Sequence, residues 1–419
     1  CLKECLVMNV FMVTGATGLK GHGMRYAQEL CSRLSAHGIF RPTLVCPEGY
    51  VRALAGREPG YEVIEIKNID FSRSEASRFK RYGLLAPVLR GFANKHFFGR
   101  FYRSAYSILR ARGDVQILHL MDYDYLVLAR FMKKFQSEKR SAKVAVTVHT
   151  ADFQPRGYSV AETYKRIVRR SFRNVLMNSS AVITHSAWIA DSLLRQLRLP
   201  ESLAGRFLTA QYGAEERDCR INQKEARQKL GIPPDAPVAL WFGMLRKDKR
   251  PDLAVHAAAM GPENLWLILA GSCEAVSEER VRAWVGEAGM GERCVLRLQY
   301  IPEEDIPLYY SAADVFLTTH HSAYGATSGP LNDCRTYRLP AIVSDVGALA
   351  EYVDSNGVGL LAEPGNPESF GDKLKDFFSF PSVKRAEMVE KVAQAAAKYS
   401  WEAMCLRHEE AYRLCMGSD

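Results

Sequence analysis

Short, wholly apolar runs alternate along this chain with longer segments whose apolar residues recur every three or four positions. An all-apolar run reads as a strand buried on both faces, and the longer period reads as a helix packed on one side. Their alternation predicts parallel sheets covered by helices. In the first half the predicted strands are Val10–Val13, Pro42–Cys46, Val115–His119, Lys143–His149 and Ala181–His185, with a helix from Met24 to about Ala36. In the second half they are Val238–Gly243, Leu265–Gly271, Cys294–Ile301, Ala313–Leu317 and Ala341–Ser344. A charged helix, Lys224–Leu230, closed by Gly231 and Pro233-Pro234, lies between the two sets. The last predicted helix starts at Ser400 and sets Trp401, Met404, Cys405, His408, Tyr412 and Cys415 along one face.

A chain of 419 residues is too long for one core and suits two domains. Charge divides it at the same place. Residues 1–213 hold 33 Lys and Arg against 16 Asp and Glu, net +17, and the remainder holds 23 against 31, net −8. No apolar run approaches the ~18 residues that span a bilayer. The first residues carry no signal-peptide pattern, and Met8 reads as a natural start. The ten cysteines form no Cys-x-x-Cys pair and no cluster with His at zinc spacing. The expectation is a cytoplasmic protein with reduced thiols and no nucleic-acid partner.

Parallel sheets carry functional residues at the C-terminal ends of their strands. In the first half His119, Asp122, His149 and His185 fall there. Between the first strand and helix lies Thr14-Gly15-Ala16-Thr17-Gly18-Leu19-Lys20-Gly21-His22-Gly23, which resembles the cofactor loop of extended short-chain dehydrogenases. Two features oppose that reading. No lysine in the chain has a tyrosine four residues before it, and no acidic residue ends the second strand to hold a ribose. Residues 76–113 hold nine Lys or Arg and no acidic residue, interleaved with aromatics such as Phe79, Tyr82, Phe97, Phe101, Tyr102 and Tyr106. A solvated helix face with its aromatics packed inward is the default; a segment meeting anionic lipid is the alternative.

Two loops in the second half carry candidate chemistry. After Val238–Gly243 comes Met244-Leu245-Arg246-Lys247-Asp248-Lys249-Arg250-Pro251, with two cations three residues apart in a tight turn. After Ala313–Leu317 comes Tyr324-Gly325-Ala326-Thr327-Ser328-Gly329-Pro330-Leu331-Asn332-Asp333. Ser328 or Gly329 suits a helix cap and Pro330 its first turn. Such a helix start presents free N–H groups and a positive dipole end to a phosphate. Asp333 is placed to accept from sugar hydroxyls. Each loop also has a plainer reading, as solvated surface or as an ordinary capped helix.

Together these residues resemble the retaining family 4 glycosyltransferases, which have the two-domain GT-B fold. The match rests on Gly243-x-x-Arg246-x-x-Lys249, on Ala326-Thr327-Ser328-Gly329 with Asp333, and on Gln211-Tyr212-Gly213-Ala214 before the linker. The resemblance implies an α/β protein of two Rossmann-like domains, residues 1–213 and 214–398, facing a central cleft, with a helix at 399–419 returning to the first. It implies a donor site at Gly21, Gly23, Gly243, Tyr300, Ile301, Gly325, Thr327, Ser328, Gly329 and Asp333. Arg246 and Lys249 would neutralise the donor pyrophosphate. The family's usual signature is two Glu eight apart; the second falls on Asp333 and the first on Gly325, whose backbone is expected to require glycine. Some members carry a His where this chain has Met121, which leaves Asp122 or His149 to position the substrate. The implied reaction moves a sugar from a UDP- or GDP-sugar to a saccharide or lipid-linked acceptor, with no cofactor and no metal. Asp122-Tyr123-Asp124 keeps a metal in view. An oxidoreductase built on the Gly15–Gly23 loop and a non-catalytic relative are the competing readings. The basic first half suggests peripheral attachment at the inner face of a membrane.

Overall fold

The computed structural model describes residues 7–15, 22–53, 59–67, 86–138, 141–154, 160–273 and 275–417. They fall into two compact units, Cys1–Gln211 with Trp401–Asp419, and Tyr212–Ser400. The first holds a seven-stranded sheet in the order β3-β2-β1-β4-β5-β6-β7, the second a six-stranded sheet in the order β10-β9-β8-β11-β12-β13. All pairings are parallel.

In the first unit β1 (Met8–Thr14), β2 (Phe40–Pro47), β4 (Ile117–Asp122), β5 (Lys143–Val148) and β6 (Ala181–Thr184) include all five strands expected from the sequence. In the second, β8 (Val238–Phe242), β9 (Trp266–Ala270), β10 (Cys294–Arg297), β11 (Val315–Thr318) and β12 (Ala341–Ser344) do the same. Several boundaries shift by a few residues. β4 starts at Ile117, with Gln116 bonding Asn9 just before it, and runs on to Asp122, with Leu120 and Met121 fully buried. β10 stops at Arg297, which leaves Tyr300 exposed in a loop. Three short strands carry no sequence signal: β3 (Glu62–Ile66), β7 (Phe207–Thr209) and β13 (Gly359–Ala362). All three are half-exposed sheet edges: β3 is interrupted by Glu62 and Glu65, β7 is three residues long, and β13 is a short apolar run of four.

The helix Trp401–Met416 belongs to the first unit and buries the face anticipated for it, Trp401, Met404, Cys405, His408, Tyr412 and Cys415. Of the basic segment, 76–85 lies outside the described residues and the rest forms the helix Ala86–Ala111. Phe97, Phe101, Tyr102 and Tyr106 point inward, as the default reading expects, and Arg100, Arg103 and Arg110 are exposed. No described helix is long and apolar enough to cross a membrane. In both sheets the strand order reverses beside the first strand, between β1 and β4 and between β8 and β11. Ligands of open parallel sheets bind outside the strand ends at such a reversal.

Candidate active site

At the reversal in the second unit, the loops after β8 and β11 are fastened to each other. Leaving β8, Gly243 has φ +126° and donates to Ala270 O at 2.9 Å, and Leu245, fully buried, donates to Ser272 O at 2.9 Å. The chain then makes one tight turn, Lys247–Lys249, and enters the helix Pro251–Ala259 through Arg250 at φ 48°. Thr319 donates to the carbonyls of Lys249 and Arg250, at 2.9 and 2.8 Å, and accepts from Trp241 Nε1 at 3.1 Å. His321 N donates to Asp248 O at 3.0 Å.

This scaffold buries a cation. Lys249 is 8% exposed, and among the described residues its ammonium has no ion-pair or hydrogen-bond partner. A β-carbon on Gly243 would lie 3.1 Å from Lys249 Nζ and 3.2 Å from Pro330 Cγ, so the glycine, the ammonium and the second helix motif meet at one point. Burial, with the charge of Arg246 beside it, lowers the Lys249 pKa to about 8 despite Asp248. Arg246 bonds Asp248 at 2.9 Å, but its Nε is buried and unpartnered. The same holds for Thr318 Oγ1 and for both ring nitrogens of His320, which is 3% exposed and lies against the Tyr324 ring at 3.9 Å. Burial, Lys249 and Arg246 together hold His320 well below its ordinary pKa, so the ring is neutral. Buried polar groups are ordinarily satisfied. Their concentration here, around a buried cation, is a chemistry that suits an anion. His320 was not singled out from sequence; its position just past a central strand was the available signal.

The helix Gly329–Thr336 begins beside Lys249. Ser328 occupies the cap position, as expected, and its hydroxyl makes no capping bond. The first turn therefore keeps its N–H groups uncovered by a side chain, which suits an anion. Tyr310, buried and stacked on Phe316 at 5.8 Å, donates to Pro330 O at 2.9 Å and fixes that turn. Behind it Arg335 is fully buried, donating to Tyr212 O and Asn332 O, with the rings of Tyr352 and Tyr399 each 5.5 Å away. Asp333 and Thr327 are half-buried and Gly325 is buried. Gly325 is absent from the glycines with left-handed φ, so its φ alone does not demand glycine. Ile301 packs in the core and Tyr300 is exposed, so of these two only Tyr300 offers its side chain outward.

In the first unit, Gly23 is exposed at the start of the helix His22–His37, and Gly21 lies outside the described residues. Asp122 accepts from Thr14 Oγ1 at 2.7 Å, and His149 Nε2 is 3.7 Å from its other oxygen. Asp124 caps the helix Tyr125–Ser137 through Leu126 N and Val127 N and accepts from Tyr164, so it is committed to structure. His119 is core, bonded to Tyr412 at 2.8 Å and Thr147 at 2.7 Å. Among the described residues one group, His37, Cys405 and Glu409, has donor atoms close enough for a metal. Its Glu409 is already held by His37 and Arg413.

Comparison with known proteins points the same way. Residues 24–204 match the model of Glycosyltransferase Family 4, and residues 222–398 match that of Glycosyl transferases group 1. A D-inositol 3-phosphate glycosyltransferase of Acidothermus cellulolyticus is 26% identical over 220 residues, 47% of this chain and 48% of its own. The chain spans about half the length of the curated relatives it matches. Sucrose-phosphate synthase from Thermosynechococcus elongatus superposes with a TM-score of 0.75 at 18% identity, over 98% of this chain and all of its own. Anabaena HepE in complex with UDP and glucose does so with a TM-score of 0.68 at 15% identity, over 98% and 100%. An oxidoreductase reading has no counterpart in these matches and leaves the second unit unexplained. Two parallel-sheet units, matched in turn by two glycosyltransferase models, place the chain in the family 4 glycosyltransferases, with the GT-B fold.

Proposed function

We propose that the protein moves a hexose, with retention of anomeric configuration, from a UDP- or GDP-sugar to a saccharide or lipid-linked acceptor, in the synthesis of a surface polysaccharide or glycoconjugate. The observation that carries this reading is the buried, unpaired Lys249 ammonium among unsatisfied Arg246, Thr318 and His320 atoms, beside an uncovered helix start. As the glycosidic bond breaks, charge develops on the leaving pyrophosphate. Lys249, Arg246 and the N–H groups of the Gly329 turn would stabilise it where it forms, and preorganised donors of this kind are commonly the largest catalytic term. With those cations in place no metal is required. Front-face substitution follows, the donor phosphate itself helping to deprotonate the acceptor, and Asp122 and His149 position that acceptor. HepE, of the same fold, was solved with UDP. The relatives named for inositol 3-phosphate carry an anionic acceptor in their name, which agrees with a first half of net +17.

A thermal-stabilisation screen of UDP, GDP and their sugars tests the donor site. A true donor at 100 times its Kd adds about 2.7 kcal/mol of stability. Asp333→Asn should weaken that binding if the carboxylate holds the ribose. No stabilisation by any nucleotide in the parent protein would sink the proposal. Binding without turnover would favour the non-catalytic reading, for which Gly325 in place of Glu is the supporting feature. The anomer of the product, read by NMR, and activity in the presence of a chelator test retention and metal independence.

A further inference from the structure

At the ends of β5 and β6 the His149 and His185 rings meet nitrogen to nitrogen, His149 Nδ1 to His185 Nε2, at 2.9 Å. Both outer nitrogens end on backbone carbonyls. His185 Nδ1 is 2.9 Å from Ala210 O, and His149 Nε2 is 3.0 Å from Met121 O. A carbonyl oxygen only accepts, so each outer nitrogen must carry a proton for its contact to be a hydrogen bond. The contact between the rings needs one more. The chain of contacts thus calls for three protons, and two neutral imidazoles supply two. Whichever neutral tautomers are drawn, one lone pair is left aimed at an oxygen or at the other ring's lone pair.

We propose that His149 and His185 hold three protons between them, as a singly charged imidazole–imidazolium pair whose charge sits on His149 with Asp122 as its counter-ion. His185 is fully enclosed, and burial with His149 beside it lowers its pKa to about 3, so it resists the charge. The His149 side chain is 40% exposed, with Asp122 Oδ1 at 3.7 Å. Among the described residues the other groups facing the pair are neutral. Tyr26 packs edge-on to both rings, at 6.3 and 5.3 Å, and burial raises its pKa. His408, bonded to Tyr26 OH at 2.6 Å, is lowered to about 4 by burial, and His119 is lowered well below its ordinary value. Asp122 is thus the charged group at hand, its second oxygen held by Thr14.

His149 is then no general base. It is a fixed cation that orients the Asp122 carboxylate, and His185 is a positioning residue that acts through it. This holds or fails independently of sugar transfer, because it concerns the resting protein.

Two-bond proton–nitrogen spectra of the full chain, labelled with ¹⁵N-histidine, read the protonation directly; His149→Gln assigns the signal. The expected result is an imidazolium pattern for His149 at neutral pH. His185→Leu should abolish that pattern. His185→Gln should preserve it, because the amide can donate to Ala210 O and accept from His149 Nδ1. The Gln variant also serves where the Leu variant fails to fold. Two singly protonated rings at pH 7, or an imidazolium pattern that survives a folded His185→Leu change, overturns the proposal. A merely structural His185 would move melting temperature but not the protonation of its neighbour.

Discussion

The α-carbon of Gly271 faces the Gly243 carbonyl so closely that a β-carbon there would lie 1.8 Å from the oxygen. The paired strands β8 and β9 end side by side at this point, and Gly271 has φ +144°, a conformation that favours glycine. Gly271→Ala must therefore push away the loop that carries Arg246 and Lys249. The expected outcome is a loss of ~2 kcal/mol or more in urea denaturation, the scale of a strained backbone position with overlap. Nucleotide binding should fall with it. A variant with parental nucleotide affinity would show that this close approach does not set the loop.

Lys249 separates stability from function. A buried cation without a partner costs free energy, so Lys249→Met should leave the melting temperature unchanged or raised. Turnover should fall ~10²-fold or more. The pH dependence has a defined sign. With a folded pKa of about 8 against 10.5 ordinarily, the unfolded chain binds the extra proton between those values. The stability of the unliganded protein should therefore rise as pH climbs from about 8 toward 10.5. Nucleotide affinity should move the other way, strongest where the ammonium is charged. Calorimetry of parent and Lys249→Met proteins across this range checks both, and identical profiles would remove Lys249 from the anion site.

Much of this was legible in the sequence for physical reasons. Central strands are continuous apolar runs, and Gly243, Arg246, Lys249 and the Ser328–Asp333 stretch announce themselves by spacing within one loop each. What was illegible depends on distant partners. His320 gains meaning only when Asp248 and Lys249, some seventy positions earlier, are fastened against it. Arg335 reads as a helix surface charge until Tyr212, Tyr352 and Tyr399 enclose it. The edge strand β3 breaks its apolar run with Glu62 and Glu65. Ser328 takes the cap position that its residue type favours, without the side-chain bond, because propensity names the position and not the bond.

Arg335 is a buried cation with no carboxylate, held by carbonyls and aromatic faces, and its Nη1 has no partner. It ties the helix Gly329–Thr336 to the backbone at Tyr212. Arg335→Ala, which removes both packing and hydrogen bonds, should cost ~3 kcal/mol or more, and Arg335→Met distinctly less. If both fold, nucleotide affinity should weaken in each, because the helix start is no longer anchored. Chemical denaturation with a nucleotide titration decides it. Equal stability of the two variants would mean that volume, not the anchor, is what the site needs.

The basic first half makes a claim about surroundings. Of the basic residues after position 85, Arg112 bonds Thr43 at 3.0 Å and pairs with Glu62, while Lys95 lies 4.5 Å over the Tyr164 ring. Arg100, Arg103 and Arg110 remain exposed on the helix Ala86–Ala111, at spacings that place them on one side. Near anionic lipid each such residue contributes ~1 kcal/mol, which supports reversible contact and not anchoring. The protein should therefore sediment with anionic vesicles and not with neutral ones, and release as salt shortens the screening length below ~8–10 Å. Replacing the three arginines with Gln should reduce binding at low salt without changing nucleotide affinity, because they belong to the other unit. Binding to neither vesicle, or equal and salt-insensitive binding to both, would rule out attachment through this face and leave a soluble acceptor as the consistent reading of the charge.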